Sequence, residues 1–331
     1  MLKINPAWEK SKELRATIWK LYYELIQSIS LETNLINYKD DIAKESSSLG
    51  EYLFPNNQGL SKKNLKDLLE TLTDKDTLEK NKLIFPPNDP SCPDWTVVKR
   101  VFDYDTFSER AKFKQLIHLL GVETCPYCNR AFTSTVKKGK KYYRTNQADH
   151  YMNKDNYPYL ALTLPNLIPV CAACNNHKSA RIKPVLYPYK EGFENKYRFV
   201  THPVRGYRYL VGEPGSENDF EVVIEKAPDA ITTKEYDERV NASREFFGLD
   251  VLYTSHNAYV RRIFEQRYIF GDAYAEDLCR SFPRYFTSKA DVREMLYMKS
   301  IEENNLGAAP LSKLTADIDA EITQLTSRKT P

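Results

Sequence analysis

The chain has 331 residues, 41% hydrophobic and 12% aromatic, enough for a core and for two or three packed units rather than one. No apolar run approaches the ~20 residues of a membrane span, and Met1 to Ile29 is charged and amphipathic rather than a signal peptide, so a cytoplasmic protein without a membrane partner is expected. Net charge is only +3, yet between Asn129 and Lys190 eleven Lys or Arg stand against two acids, Asp149 and Asp155. A local excess of that kind attracts phosphates independently of sequence.

In chain order, Leu14, Ile18, Leu21, Leu25 and Ile29 recur at helical spacing and predict one helix over Pro6 to Ser30. A Ser-capped helix is predicted over Ser61 to Leu72, and the proline cluster from Phe85 to Asp94 predicts a linker. Asp105 to Leu120 predicts a third helix, stopped by Gly121. Ala131 to Val136 and Tyr142 to Gln147 flank a turn with Lys137, Lys138, Gly139, Lys140 and Lys141, and read as a β-hairpin whose basic tip is either solvated or aimed at phosphate. Its second arm is expected to end at Asp149-His150, where strand becomes loop. Leu167 to Val170 predicts a short strand and Ala172 to Arg181 a short helix stopped by Pro184. Strands are then predicted at Tyr197 to Val200, Tyr207 to Val211 and Phe220 to Ile224, broken by Gly212-Glu-Pro-Gly215. From Thr233 onward the stripes turn helical, ending in Leu311, Leu314, Ile318, Ile322 and Leu325.

The stretch from Cys125 to Lys183 carries the chemistry. Cys125 and Cys128 form one Cys-x-x-Cys pair and Cys171 and Cys174 another, with 42 residues between them. Two such pairs can hold one tetrahedral Zn²⁺ as a structural staple. Cys92 and Cys279 are left over and are expected to be free thiols. Inside the loop lie Asp149-His150 and Asn166, and Asn175 follows Cys174 directly. Imidazole has a pKa of roughly 6.5, so His150 is the candidate general base.

In order and spacing, Cys125-Pro-Tyr-Cys128, Asp149-His150, Asn166-Leu167 and Cys171-Ala-Ala-Cys174-Asn175-Asn-His177-Lys178 resemble the HNH (His-Me finger, ββα-metal) endonucleases. Tyr157-Pro158 and Asn166-Leu-Ile-Pro-Val-Cys171 further resemble the nuclease subunits of Septu-type and retron-associated anti-phage defence systems. The chain departs from that subgroup at Asn153-Lys154-Asp155, where Pro-Lys-Ser is usual. The resemblance implies that His150 is catalytic, that Asn166 ties the loop so that His150 is correctly aimed, and that Asp149 and Asn175 ligate a catalytic Mg²⁺ or Mn²⁺. It also implies an ATPase partner; the chain itself has no Gly-x-x-x-x-Gly-Lys-Ser/Thr loop. Lys178, three residues beyond Asn175, returns to the same helix face and is the better phosphate candidate. Lys154 and Arg181 are weaker ones. His177 lies about 200° round the axis from Asn175 and is read as an exposed residue, with a phosphate or metal contact as the alternative. His118, His202 and His256 have no motif around them.

The expected fold is α+β: a mainly helical chain with a central zinc-stapled ββα-metal module and a small antiparallel sheet. Its regions are 1–95 helical, 96–190 nuclease module, 191–230 β-rich and 231–331 helical. Three functions stand side by side: an endonuclease on DNA, the same site acting on RNA such as tRNA, and a non-catalytic zinc-ribbon binding or scaffold protein.

Overall fold

The computed structural model describes the chain apart from Pro6, Gln58, 61–94, Ala180, Ile182, 212–217 and 328–331. The predicted helix at Ser61 to Leu72, the proline-rich linker and Cys92 lie outside the described residues, as does the break at 212–215. The fold is α+β, mostly helical, with three two-stranded antiparallel sheets among the described residues. No described helix is long and apolar enough to cross a membrane. In space the chain divides into two compact units, one of Ile4–Val122 and Thr133–Ile182, the other of Met1–Lys3, Glu123–Phe132 and Lys183–Pro331.

The first unit begins with α1 (Ala7–Lys10) and α2 (Lys12–Ser28). The single helix expected here is interrupted at Ser11, whose extended backbone lets its hydroxyl accept from Leu14 N at 3.0 Å, so the serine caps a new helix. The predicted stripe still faces inward at Ile18, Leu21 and Leu25, joined by Tyr22. Then follow α3 (Leu31–Asn37), α4 (Lys39–Glu45), α5 (Ser47–Leu53) and α6 (Thr96–Val101). The carboxylate of Glu45 accepts from Val97 N and Val98 N at 2.9 Å, satisfying the open donors at the start of α6.

The helix expected over Asp105 to Leu120 is two helices, α7 (Tyr104–Glu109) and α8 (Ala111–Leu120), separated by Arg110 in extended conformation. Asp103 caps α7 through Thr106 N at 3.0 Å, and Gly121, at φ 64°, ends α8 as expected. Phe107, Phe113, Leu116 and Ile117 meet α2 to form the core of this unit. Onto α8 folds a hairpin of β1 (Thr135–Lys138) and β2 (Lys141–Arg144).

β3 (Gln147–His150) is a separate strand. It pairs antiparallel with β4 (Leu167–Val170), Asp149 opposite Ile168 and His150 opposite Leu167, and α9 (Ala172–Lys178) follows β4. The second hairpin arm therefore ends at Arg144, short of Asp149-His150. The reason is that Asn146 turns the chain, its buried amide donating to Thr133 O and Thr135 Oγ1.

In the other unit, β5 (Tyr197–Pro203) and β6 (Phe220–Lys226) pair along their full length. The strand expected at Tyr207 to Val211 is a 3₁₀ turn over Arg208–Val211. Here packing overrides alternation: Tyr209 is buried against Phe220 and Phe264, and its hydroxyl reaches Thr201 Oγ1 at 3.1 Å. The helices α10 (Lys234–Phe246), α11 (Leu249–Thr254), α12 (Asn257–Ile269), α13 (Asp272–Ser281), α14 (Lys289–Tyr297) and α15 (Ser312–Ser327) complete it. The predicted terminal stripe buries Leu314, Ile318 and Ile322.

Candidate active site and metal centre

The four cysteines of the two Cys-x-x-Cys pairs are buried and reduced, and their sulfurs lie within 4.8 Å of one another. A tetrahedron with Zn–S bonds of ~2.3 Å has edges of roughly 3.8 Å, which lies within the spread of this cluster, so the four thiols suit zinc. The first pair sits on a tight turn: Cys125 N donates to Ala131 O at 2.9 Å, Asn129 N to Cys125 O at 2.7 Å, and Asn129 takes φ 48°. Arg130 N points at Cys128 Sγ at 3.4 Å. The second pair uses a helix start: Cys171 is the N-cap of α9 and its sulfur accepts from Cys174 N at 3.5 Å. Amide N–H groups aimed at sulfur favour the thiolate that a metal requires. Cys279 is in no disulfide among the described residues.

Asp149 and His150 end β3, both buried, and the loop from Tyr151 to Asn166 returns the chain to β4. That loop is closed by Asn166, which is 0% exposed. Its Oδ1 accepts from Met152 N at 2.6 Å, and its Nδ2 donates to Met152 O and Leu160 O, each at 3.0 Å. The neighbouring carbonyl, Ala161 O, lies 2.9 Å from His150 Nε2. Since a carbonyl only accepts, Nε2 carries the proton and Nδ1 holds the lone pair of a neutral imidazole. Burial, with the charges of Lys154 and Lys178 added, pushes the His150 pKa down to about 3, against the pull of the Ala161 bond. The ring of Tyr104, at the start of α7, packs edge-on against the imidazole at 4.3 Å.

Asn175 on α9 donates from Nδ2 to Gln147 Oε1 at 2.7 Å, which aims the helix side chain at β3 and leaves its Oδ1 as the atom to offer a cation. Asp149 adds a carboxylate, so the donor set is hard oxygen and suits Mg²⁺ or Mn²⁺. Lys178, expected as a phosphate contact on the face of Asn175, is 3% exposed. Its Nζ donates to Asp149 Oδ1 at 2.9 Å and His150 O at 2.6 Å, so the cationic charge beside Asp149 is here an ammonium. Helical spacing put Lys178 on the face of Asn175; that this face turns inward was beyond the sequence. His177 and Arg181 are exposed and Lys154 half-buried.

Tyr104, Gln147 and the Ala161 carbonyl were missed by sequence reasoning. Gln147 stands two residues before Asp149 and offered a weak signal; Tyr104 and Ala161 offered none. The three remaining histidines are occupied structurally: His118 Nδ1 is 2.6 Å from Thr135 O, His202 Nε2 2.9 Å from Glu225, and His256 Nε2 2.8 Å from Arg130 Nε.

This assembly of two strands, a helix, an inward Asp-His pair and a four-thiol cluster is that of a ββα-metal nuclease module. Residues 125–181 match the family model described as HNH endonuclease, so the chain contains an HNH domain, which implies metal-dependent nuclease activity on nucleic acid. No curated protein and no solved structure matches the chain.

Proposed function

We propose that the chain is an HNH endonuclease that hydrolyses DNA, acting as the effector of an anti-phage defence system together with an ATPase partner. The observation that carries the nuclease reading is the orientation of His150: its Nε2 donates to Ala161 O at 2.9 Å, which leaves on Nδ1 the lone pair that a general base needs. In the reaction His150 Nδ1 takes the proton of the attacking water while the Nε2–H bond keeps the ring from rotating. Asn166 is a positioning residue, since it holds Leu160 O and through the next residue the carbonyl that orients His150. A divalent ion held by Asp149 and Asn175 would neutralise phosphoryl charge and assist the leaving oxygen. Zinc on Cys125, Cys128, Cys171 and Cys174 would be structural.

DNA, the defence role and the partner rest on the resemblance of Cys125-Pro-Tyr-Cys128, Tyr157-Pro158 and Asn166-Leu-Ile-Pro-Val-Cys171 to the Septu and retron nuclease subunits. An ATPase would supply the nucleotide dependence for which the chain has no loop of its own. The test is cleavage of plasmid DNA and structured RNA by wild type and His150→Ala with Mg²⁺, Mn²⁺ or EDTA, with zinc measured on the same samples. Metal-dependent cutting of DNA that disappears with His150→Ala is expected. Cutting of RNA alone would overturn the substrate, and inactivity that persists with co-purified partners would overturn the nuclease.

A further inference from the structure

The hairpin of β1 and β2 has two unlike faces. Thr135, Lys137, Tyr142 and Arg144 form the inner one, and it packs on α8: the Tyr142 ring stands 5.3 Å from His118 and the Arg144 guanidinium 5.2 Å over Phe113. Val136, Lys138, Lys141 and Tyr143 form the outer face, where Val136 is 56% and Tyr143 55% exposed. They are direct cross-strand partners, as are Lys138 and Lys141. Gly139, at φ 60°, closes the two-residue turn at the position a type II′ hairpin reserves for glycine, and Lys140 is the other turn residue.

Such an outer face works against its own stability. Directly opposed residues have Cβ atoms only about 4.5–5.5 Å apart, and like charges so placed repel. An acid at either position would stabilise the pair, yet Lys137, Lys138, Lys140 and Lys141 include none. Beside the repelling pair an aromatic ring and a valine stand in water. Cations that neutralise phosphates next to an exposed ring on which a base can stack are the components of a nucleic-acid contact. The hairpin also feeds the site: from Tyr143 to Asp149 the chain advances six residues, which caps their separation at about 20 Å. One nucleic-acid strand is long enough to meet both.

We infer that the outer face of the β1–β2 hairpin is a second nucleic-acid contact, in which Lys138 and Lys141 bind backbone phosphates and Tyr143 stacks on an unpaired base. This deepens the nuclease reading, and it is tested without cleavage. Full-length, zinc-loaded protein carrying His150→Ala is titrated with a fluorescein-labelled DNA duplex and with single strands of DNA and RNA of the same sequence, across a salt series. Adding Lys138→Gln and Lys141→Gln is expected to weaken duplex binding about 30-fold at about 0.15 M salt and to flatten the salt slope by roughly 2. Lys138→Arg with Lys141→Arg should retain both. Tyr143→Ala should weaken the single strands by about 5-fold or more and leave the duplex unchanged.

Lys141→Glu separates binding from folding, because it should raise the melting temperature by removing the like-charge pair while lowering affinity. Unchanged affinity and slope in the double Gln variant, with the melting temperature retained, would overturn the proposal and mark the hairpin as a solvated tip. Binding that responds as expected in a protein whose wild type cuts nothing even with co-purified partners would keep the contact and remove the nuclease.

Discussion

Replacing Lys178 by Met tests the inward pairing on which the site is built. The substitution keeps most of the stem and removes the Nζ that donates to Asp149 Oδ1 at 2.9 Å and His150 O at 2.6 Å. Both charged side chains are nearly out of water, at 4% and 5% exposed, so screening by solvent is slight. Breaking a buried pair by removing one partner costs about 3–5 kcal/mol, because the remaining charge is stranded. Lys178→Met should therefore destabilise by about that much, and adding Asp149→Asn should recover a large part.

The assay is urea unfolding of the zinc-loaded protein followed by tryptophan fluorescence, since all three tryptophans, Trp8, Trp19 and Trp95, belong to the unit that holds the pair. A Mg²⁺ titration adds a second readout. If Asp149 ligates the ion, Mg²⁺ should stabilise Lys178→Met more than wild type, because no ammonium competes with it there. A loss below about 1 kcal/mol, or equal Mg²⁺ effects on both proteins, would refute the reasoning.

Three further outcomes are expected. Asn166→Ala strands Met152 N, Met152 O and Leu160 O in the interior, which should cost about 3–5 kcal/mol and, by freeing the loop that orients His150, lower kcat more than it raises KM in steady-state cleavage. Cys171→Ser should lose bound zinc, measured by elemental analysis, together with thermal stability; one zinc per chain and an unchanged melting temperature would remove the cysteine assignment. Burial raises the Glu321 carboxyl from 4.5 to about 7, against the bonds it accepts from Thr201, so between those values the folded chain holds a proton the unfolded chain has released. Stability should then fall as pH rises from 4.5 to 7, by up to about 3 kcal/mol, and Glu321→Gln should flatten that slope in unfolding measured at both ends.

Local signals were strongest where a single element carries its own reason. Gly121 ended its helix because a left-handed backbone at φ 64° suits glycine, and the stripes at Ile18, Leu21 and Leu25 and at Leu314, Ile318 and Ile322 turned inward as periodicity requires. Boundaries failed where a side chain bonded backbone nearby, as at Ser11, or where distant packing intervened, as at Tyr209. The hairpin was legible from its turn; that β3 leaves it to pair with β4 was not, because alternation names strands but not their partners.

The site divides in the same way. By itself the sequence determined which atoms are present and in what order: four thiols in two tight pairs, an acid beside an imidazole, two asparagines and a surplus of lysines, all chemistry set by residue type and short spacing. Only the tertiary structure decided which imidazole nitrogen holds the lone pair, that Asn166 bonds Met152 and Leu160 across the loop, and that Lys178 faces Asp149 while Lys138 and Lys141 face solvent. The physical reason is that burial and hydrogen-bond partners, which fix protonation and orientation, depend on residues far apart in the chain that folding brings together.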